Sequence, residues 1–327
     1  MLAMALTLSL TPLVLALLRR GRVLDHPSER SSHATPVPRG GGAAIGVAAL
    51  VALALTPSVR GSDRWAIAVA AGAFGLVGLI EDVVGIPVLR RLGVQFIAGL
   101  LSGLFLLDDL TGPLLWQGVF AVCAVVWLVA FVNAYNFMDG INGISVAQAM
   151  GAGITWLFVG AHAGSPALAA GGAMMAGAAL GFAPYNVPNA RLFLGDVGSY
   201  FIGAWLAALA VLGLRAGVPP EAVLAPLALY VADTGTTLVR RVLRGERWYL
   251  PHREHAYQRL GEAGWSHVQR SGLVAGCIGA CGALGAVSLG DSVAARVAAD
   301  LAIAGVIGAY LLSPRWMVHS DSTITVA

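Results

Sequence analysis

Lysine is absent: all 20 basic residues of the 327 are arginine, and charged residues of both signs make up only 11% of the chain. Soluble domains carry about 25% charged residues, so this shortage excludes a soluble globular protein and points to a chain built for lipid. The formal net charge of +3 is small; no nucleic-acid motif accompanies it, and no nucleic-acid partner is expected. Cysteine is nearly absent too. Cys123, Cys277 and Cys281 lie in apolar runs without metal-ligand neighbours, which argues for buried thiols rather than a disulfide or a zinc site. No basic residue precedes the first apolar run, Leu2 to Leu18, whereas Arg19, Arg20 and Arg22 follow it. That polarity fits a retained helix whose N-terminus lies outside the cytoplasm, not a cleaved signal peptide. Internal repeats, low-complexity tracts and a separate soluble domain are also missing.

What is present is apolar sequence: 57% hydrophobic residues and 42 glycines. Small residues let helices pack closely in lipid, and Gly99 with Gly103 forms one such GxxxG pair. Runs long enough to span recur at about 2–18, 42–57, 65–80, 93–107, 117–132, 145–161, 167–185, 198–214, 222–239, 272–288 and 295–312. The sequence therefore predicts an all-α, polytopic membrane protein of about eleven helices, with a periplasmic N-terminus and a cytoplasmic C-terminus. The arginines test this topology. Sixteen fall in inside loops or the C-terminal tail, and only Arg60, Arg64, Arg215 and Arg296 fall outside, a strong positive-inside bias. Dropping one span would reverse the later loops and destroy it. The acidic pair Asp108-Asp109 falls outside and reads as a solvated turn.

Every polar, motif-like segment falls on the inside face. In Asn133-Ala-Tyr-Asn-Phe-Met-Asp-Gly-Ile-Asn-Gly143, the residues Asn133, Asn136 and Asp139 are three apart and share one helical face; Gly140 and Gly143 weaken the helix beyond them. A plain loop needs no such register, so a polar site at a helix end is the better reading. Segment 25–42 holds prolines, hydroxyls, Arg39 and Gly40-Gly-Gly42, a backbone able to wrap an anion. Glu81-Asp82 sits at a helix end, followed by Arg90, Arg91 and Gln95; adjacent carboxylates are tolerable beside water, a divalent cation or arginines. Asp196 lies between Gly195 and Gly198, open to a metal, with Ser199 expected to cap the next helix. Segment 240–270 is the most basic, and His252 and His255 beside Arg253 suit diphosphate recognition better than zinc. Asp233 is an intramembrane carboxylate expected to pair with a polar or basic neighbour.

Five of these segments, in order along nearly the whole chain, resemble the polyprenyl-phosphate N-acetylhexosamine-1-phosphate transferases: Arg39-Gly-Gly-Gly42; Glu81-Asp82 with Arg91 and Gln95; Asn133 to Gly143; Asn186 with Phe193-Leu-Gly-Asp-Val-Gly-Ser199; and Pro251-His-Arg-Glu-His255. The Ser31-Ser-His33 run and the histidine loop look most like the O-antigen branch. The resemblance implies one membrane-embedded domain, 1–327, whose inside loops 19–41, 81–92, 133–144, 186–197 and 240–271 form the active site. It implies transfer of an N-acetylhexosamine-1-phosphate from a UDP-sugar to undecaprenyl phosphate, with Mg²⁺ (or Mn²⁺), at the cytoplasmic face of a bacterial inner membrane, and a homodimer by analogy. Asp196 matches the metal ligand, and Asp82 and Asp139 match acidic positions assigned to metal binding or acceptor activation, with Glu81 beside them. Asn133, Asn136, Asn186 and Arg39 match substrate-binding positions, as do His252, Arg253 and His255. Two positions depart from the family pattern: Glu81 stands where many members have Asp, and Asn142 where several have a second Asp. The rival readings are a polytopic transporter, which would place ionisable residues mid-bilayer on broken helices, and an inactive lipid-binding assembly subunit.

Overall fold

The computed structural model describes residues 1–25, 35–107, 112–247, 249–250 and 252–321, with side chains as far as Trp316. The Ser31–His33 run, the Asp108–Asp109 pair and Pro251 lie outside the described residues. Each of the eleven expected spans coincides with a helix: α1 (Leu2–Arg20), α2 (Gly42–Ala54), α3 (Gly61–Val84), α4 (Val88–Leu106), α5 (Leu114–Met138), α6 (Ile144–His162), α7 (Pro166–Asn186), α8 (Gly195–Arg215), α9 (Pro220–Leu243), α11 (His267–Ala286) and α12 (Val293–Asp321). A further short helix, α10 (Ala256–Glu262), lies in the histidine loop. Among the described residues, ten helices are long and apolar enough to cross a membrane. The exception, α2, has 13 residues, about 20 Å at 1.5 Å per residue, and so falls short of a full hydrocarbon thickness. Strands β1 (Leu24–Asp25) and β2 (Val37–Pro38) pair antiparallel, Leu24 opposite Pro38.

The bundle is organised around α8. Almost every residue from Gly195 to Gly213 is buried, which is what an all-round apolar helix requires: other helices must enclose it. Indole N–H groups fix it to its neighbours. Trp127 of α5 donates to Ala207 O at 3.2 Å, and Trp205 donates to Gly171 O of α7 at 3.0 Å. Small residues set the closest approaches. A Cβ at Gly153 or Gly172 would come within 2.5 or 2.7 Å of the other's carbonyl, so α6 and α7 touch backbone to backbone. The Gly99–Gly103 pair instead receives the Val125 side chain of α5, whose methyls would lie 3.2 and 3.5 Å from a Cβ at these positions.

Proline opens α7 and α9 at their first positions, where its missing N–H costs nothing. Because the helices alternate in direction, segments 35–42, 81–91, 133–145, 186–199 and 240–267 gather at one end of the bundle. The thiol expectation is corrected at one position. Cys281 is buried and Cys277 partly so, but Cys123 is exposed on the outer surface of α5, where the apolar surroundings its sequence run signalled are supplied from outside the protein.

Candidate active site

The site begins with a zipper between two chain segments. Phe193 N–H donates to Pro38 O at 2.8 Å, Gly40 and Gly41 N–H donate to Phe193 O, and Gly42 N–H donates to Leu194 O at 2.8 Å. These bonds set Arg39 beside the start of α8. Gly195 makes the turn possible: its φ is +76°, and a Cβ there would lie 2.6 Å from an Asp82 carboxylate oxygen and 2.7 Å from Gly40 N.

Arg39 then bridges two carboxylates, Nε to Asp82 Oδ1 at 2.8 Å and Nη2 to Asp196 Oδ1 at 2.8 Å. Burial works against the Arg39 charge, yet Asp196 and Asp82 hold its pKa above the ordinary arginine value. Asp82, with a side chain only 2% exposed, also accepts the Asp196 N–H at 3.0 Å and the Val197 N–H at 2.9 Å. It therefore caps α8 from another helix, where a carboxylate meets unpaired amides and the positive end of the dipole. The expectation that Ser199 caps this helix is corrected: Ser199 lies within its first turns, and its Oγ accepts from Asn136 Nδ2 at 2.9 Å. The same Nδ2 donates to Asp196 Oδ1 at 2.9 Å. Asp196 Oδ2 has no partner among the described residues.

The three-residue register of α5 delivers its side chains to three different partners. Asn133 Nδ2 donates to Gln95 Oε1 of α4 at 2.7 Å, Asn136 reaches α8, and Asp139, just past the helix end, accepts the Ser145 hydroxyl at 2.6 Å. Burial pushes the Asp139 pKa up to about 7, against the pull of the Ser145 hydrogen bond and with some help from the Asp196 charge. Glu81 accepts Ile86 N–H at 2.8 Å and Arg91 Nη1 at 3.3 Å, closing the turn between α3 and α4. Asn186 is used at both ends: Oδ1 accepts Gly143 N–H at 2.7 Å and Nδ2 donates to Leu192 O at 3.2 Å. It staples two site segments together.

In the histidine loop, His255 Nδ1 lies 3.3 Å from Asp233 Oδ1, and Asp233 also accepts Ala256 N–H and the Tyr310 hydroxyl, the latter at 2.8 Å. Asp233 thus has its expected partners, and His255 is buried rather than open to solvent. His252, by contrast, has neither ring nitrogen hydrogen-bonded among the described residues, and its ring lies 5.0 Å from that of His255 and 6.1 Å from that of Phe137. Burial first, then His255 and Arg241, depress its pKa to about 4, so it is neutral at neutral pH. Arg253 is exposed. Of the arginines that make this loop the most basic, Arg241 and Arg244 are both paired with Glu246 and Glu254. Like-signed neighbours in sequence are separated by the loop's path, which brings the acids back onto them. Tyr257, not singled out in the sequence, donates to Phe137 O at 3.1 Å and ties this loop to the end of α5.

Two cavities of similar size flank these residues, and a third, of about 200 Å³, is lined by Arg39 and Asp82 together with Leu17, Leu18 and Val83. One, of about 470 Å³, is lined by Val37, Asn142, Pro188, Phe193, Ser266 and His267 among others. The other, of about 460 Å³, is an apolar groove between α4, α5 and α9, lined by Phe96, Trp127, Phe131 and Leu238, with Arg91 and Asn133 also on its walls. Asn133 and Phe137, which flank Asn136 in α5, line the groove, and Phe193, three residues before Asp196, lines the first cavity.

Residues 64–214 match the family model described as glycosyl transferase family 4. The chain is 31% identical over 308 residues to a decaprenyl-phosphate N-acetylglucosaminephosphotransferase of Mycobacterium leprae, covering 81% of this chain and 76% of the relative. It is 29% identical over 273 residues to a probable undecaprenyl-phosphate N-acetylglucosaminyl 1-phosphate transferase of Bacillus subtilis, covering 80% and 75%. A phospho-N-acetylmuramoyl-pentapeptide-transferase of Gluconobacter oxydans is 31% identical over 212 residues, covering 53% and 58%.

Proposed function

We propose, from the premise that this chain belongs to the polyprenyl-phosphate N-acetylhexosamine-1-phosphate transferases, that it transfers N-acetylglucosamine-1-phosphate, or a close N-acetylhexosamine analogue, from a UDP-sugar to undecaprenyl phosphate. UMP is the other product, and the lipid-linked sugar starts an envelope polysaccharide such as an O-antigen. The arginine distribution supports a site facing the cytoplasm of a bacterial inner membrane, and a homodimer belongs to the same reading.

One observation carries the proposal: Asp196, whose Oδ2 has no partner among the described residues, shares one end of the bundle with a cavity of nucleoside size and an apolar groove fit for a prenyl chain. Among the described residues no three His, Cys, Asp or Glu side chains form a ready-made metal cage. Magnesium does not need one, because it takes one or two carboxylates and completes its shell with water and substrate phosphates. The free oxygen of Asp196 fits that mode. Asp82 is more committed: its Oδ1 accepts from Asp196 N–H and Arg39, and its Oδ2 accepts from Val197 N–H. When bound at Asp196, Mg²⁺ supplies charge neutralisation for the donor diphosphate.

The chain's own residues do the rest. The acceptor is already a phosphate anion, so no covalent enzyme intermediate is needed. An acceptor oxygen forms a bond to the donor β-phosphorus while the bond to the α–β bridging oxygen breaks, and UMP leaves. Arg39 cancels charge beside Asp196 and aligns the reactants. Asp139, close to its own titration point at neutral pH, takes any proton left on the acceptor phosphate. Neutral His252, open to a partner beside Phe137, is assigned to the sugar end of the donor. Purified protein with undecaprenyl phosphate, UDP-N-acetylglucosamine and Mg²⁺ should release UMP and form lipid diphosphosugar. No UMP from any of a panel of UDP-N-acetyl sugars would sink the proposal and favour a transporter or an inactive assembly subunit.

A further inference from the structure

The cavity of nucleoside size contains a side chain that no family motif quoted above includes. His267, the first residue of α11, lines it, and its Nδ1 accepts the backbone N–H of Asn142 at 3.3 Å. A neutral imidazole that accepts at Nδ1 carries its proton on Nε2, so the free edge of His267 is a donor. Among the described residues Nε2 makes no hydrogen bond. Ser271, one helical turn further on, donates from Oγ to Asn142 O at 2.7 Å. The face of α11 therefore grips both main-chain groups of Asn142. The Asn142 amide is oriented as well: Nδ2 donates to Pro188 O at 3.0 Å. A carbonyl can only accept, so the amide NH₂ must face Pro188 and Oδ1 is left to accept a proton from elsewhere. The cavity thus offers one fixed donor and one fixed acceptor near the ring of Phe193.

We propose that His267 is a specificity-determining residue of the donor pocket, its Nε2–H donating to the uracil O4 carbonyl while Asn142 Oδ1 accepts the uracil N3–H. This rests on the reading that the cavity takes the nucleoside end of a UDP-sugar. The pattern selects against cytosine, whose ring nitrogen at the same position is an acceptor and whose amino group is a donor. Cytosine would put acceptor against acceptor and donor against donor. Uncompensated mismatches of this kind in a covered site cost about tenfold or more each in affinity.

The test is calorimetric binding of UMP, CMP and 3-methyl-UMP to the purified full-length chain with Mg²⁺, alongside UMP release from UDP-N-acetylglucosamine. The unaltered chain should bind UMP at least about tenfold tighter than CMP or 3-methyl-UMP. In His267→Asn the amide oxygen can still accept the Asn142 N–H, but nothing reaches the place of Nε2; the UMP-over-CMP preference should fall about tenfold. In His267→Gln the amide NH₂ reaches that place and should retain most of the preference. An unchanged preference in a His267→Asn protein that melts like the unaltered chain overturns the proposal. If that variant does not fold, the ligand series still decides: CMP or 3-methyl-UMP binding as tightly as UMP overturns it, and a preference kept by His267→Gln supports it. Normal turnover without base selectivity defeats this inference alone. Selective UMP binding without turnover on any donor defeats the transferase reading and leaves this one standing.

Discussion

The bundle has a guanidinium–carboxylate pair at each end, and the two are built to opposite purposes. At the end away from the site, Arg215 pairs with Asp63 through Nη2 and donates to Leu106 O at 3.1 Å through Nη1. Here the guanidinium meets one carboxylate and one backbone carbonyl among its partners. At the site end, Arg39 alone serves Asp82 and Asp196, with Asp139 close behind them. Two carboxylates share one guanidinium with a third nearby, and Asp196 Oδ2 accepts nothing among the described residues. A structural ion pair balances its charges and closes. The other cluster is left with negative charge in excess, which a cation and a phosphate donor can complete.

The sharpest way to break this contrast is to neutralise one acid at each end. Asp196→Asn should lower turnover by about 10³-fold or more while the protein extracts and melts as before. Asp63→Asn should do the reverse, lowering the melting temperature through a loss of about 3 kcal/mol while turnover per folded molecule stays level. Activity retained in Asp196→Asn would remove it as metal ligand. Chelation with EDTA belongs at the same scale: turnover should vanish and return with Mg²⁺, and to some extent with Mn²⁺, whereas far-end stability should not respond.

Asp82→Asn is next in size. The amide can accept from only one of the two α8 N–H groups and presents its own NH₂ to the other, and Arg39 loses a counter-charge. We expect about a 10²-fold fall in kcat together with a lower melting temperature. A fall in kcat with unchanged melting would show that Asp82 acts chemically rather than as a cap. The smallest effect is on pH dependence. With Asp139 near pKa 7, the carboxylate form is depleted below that pH, so kcat/KM should rise as pH increases through about 7. The Ser145 hydrogen bond favours the charged form, so Ser145→Ala should move the rising limb to higher pH, by about half a unit to one unit. A shift to lower pH would contradict the assignment. His252, already neutral above about pH 5 with its pKa near 4, should contribute no limb between pH 6 and 9.

Much of this site was legible before any coordinates. Polar residues are costly inside apolar runs, so Asn133, Asn136, Asp139, Asp196 and Asp233 announced themselves, and the arginine bias brought their segments to one face. What sequence could not convey was the partner of each group. Asp82 meets amides 114 residues away, and a backbone N–H leaves no mark on a sequence. Asn186 looked like a ligand contact and is a staple because Gly143 and Leu192 happen to converge on it. The arginines of the histidine loop looked available because Glu246 and Glu254 are ordinary surface acids until the chain folds back. His267 lay within the inspected loop but outside any motif, and only its contact with Asn142 singles it out.

The capping of α8 by a carboxylate from α3 also bears on how the protein is made. Asp82 emerges from the ribosome 114 residues before Asp196, roughly 10 s ahead at common synthesis rates. During that interval its carboxylate sits at the membrane boundary without the amides it will cap or the turn that aligns Arg39. A nascent chain therefore carries no assembled centre, and the docking of α8 against α3 is the moment at which biogenesis creates a competent enzyme. Truncated chains stalled before residue 195 should accordingly insert into membrane yet bind neither nucleotide nor metal.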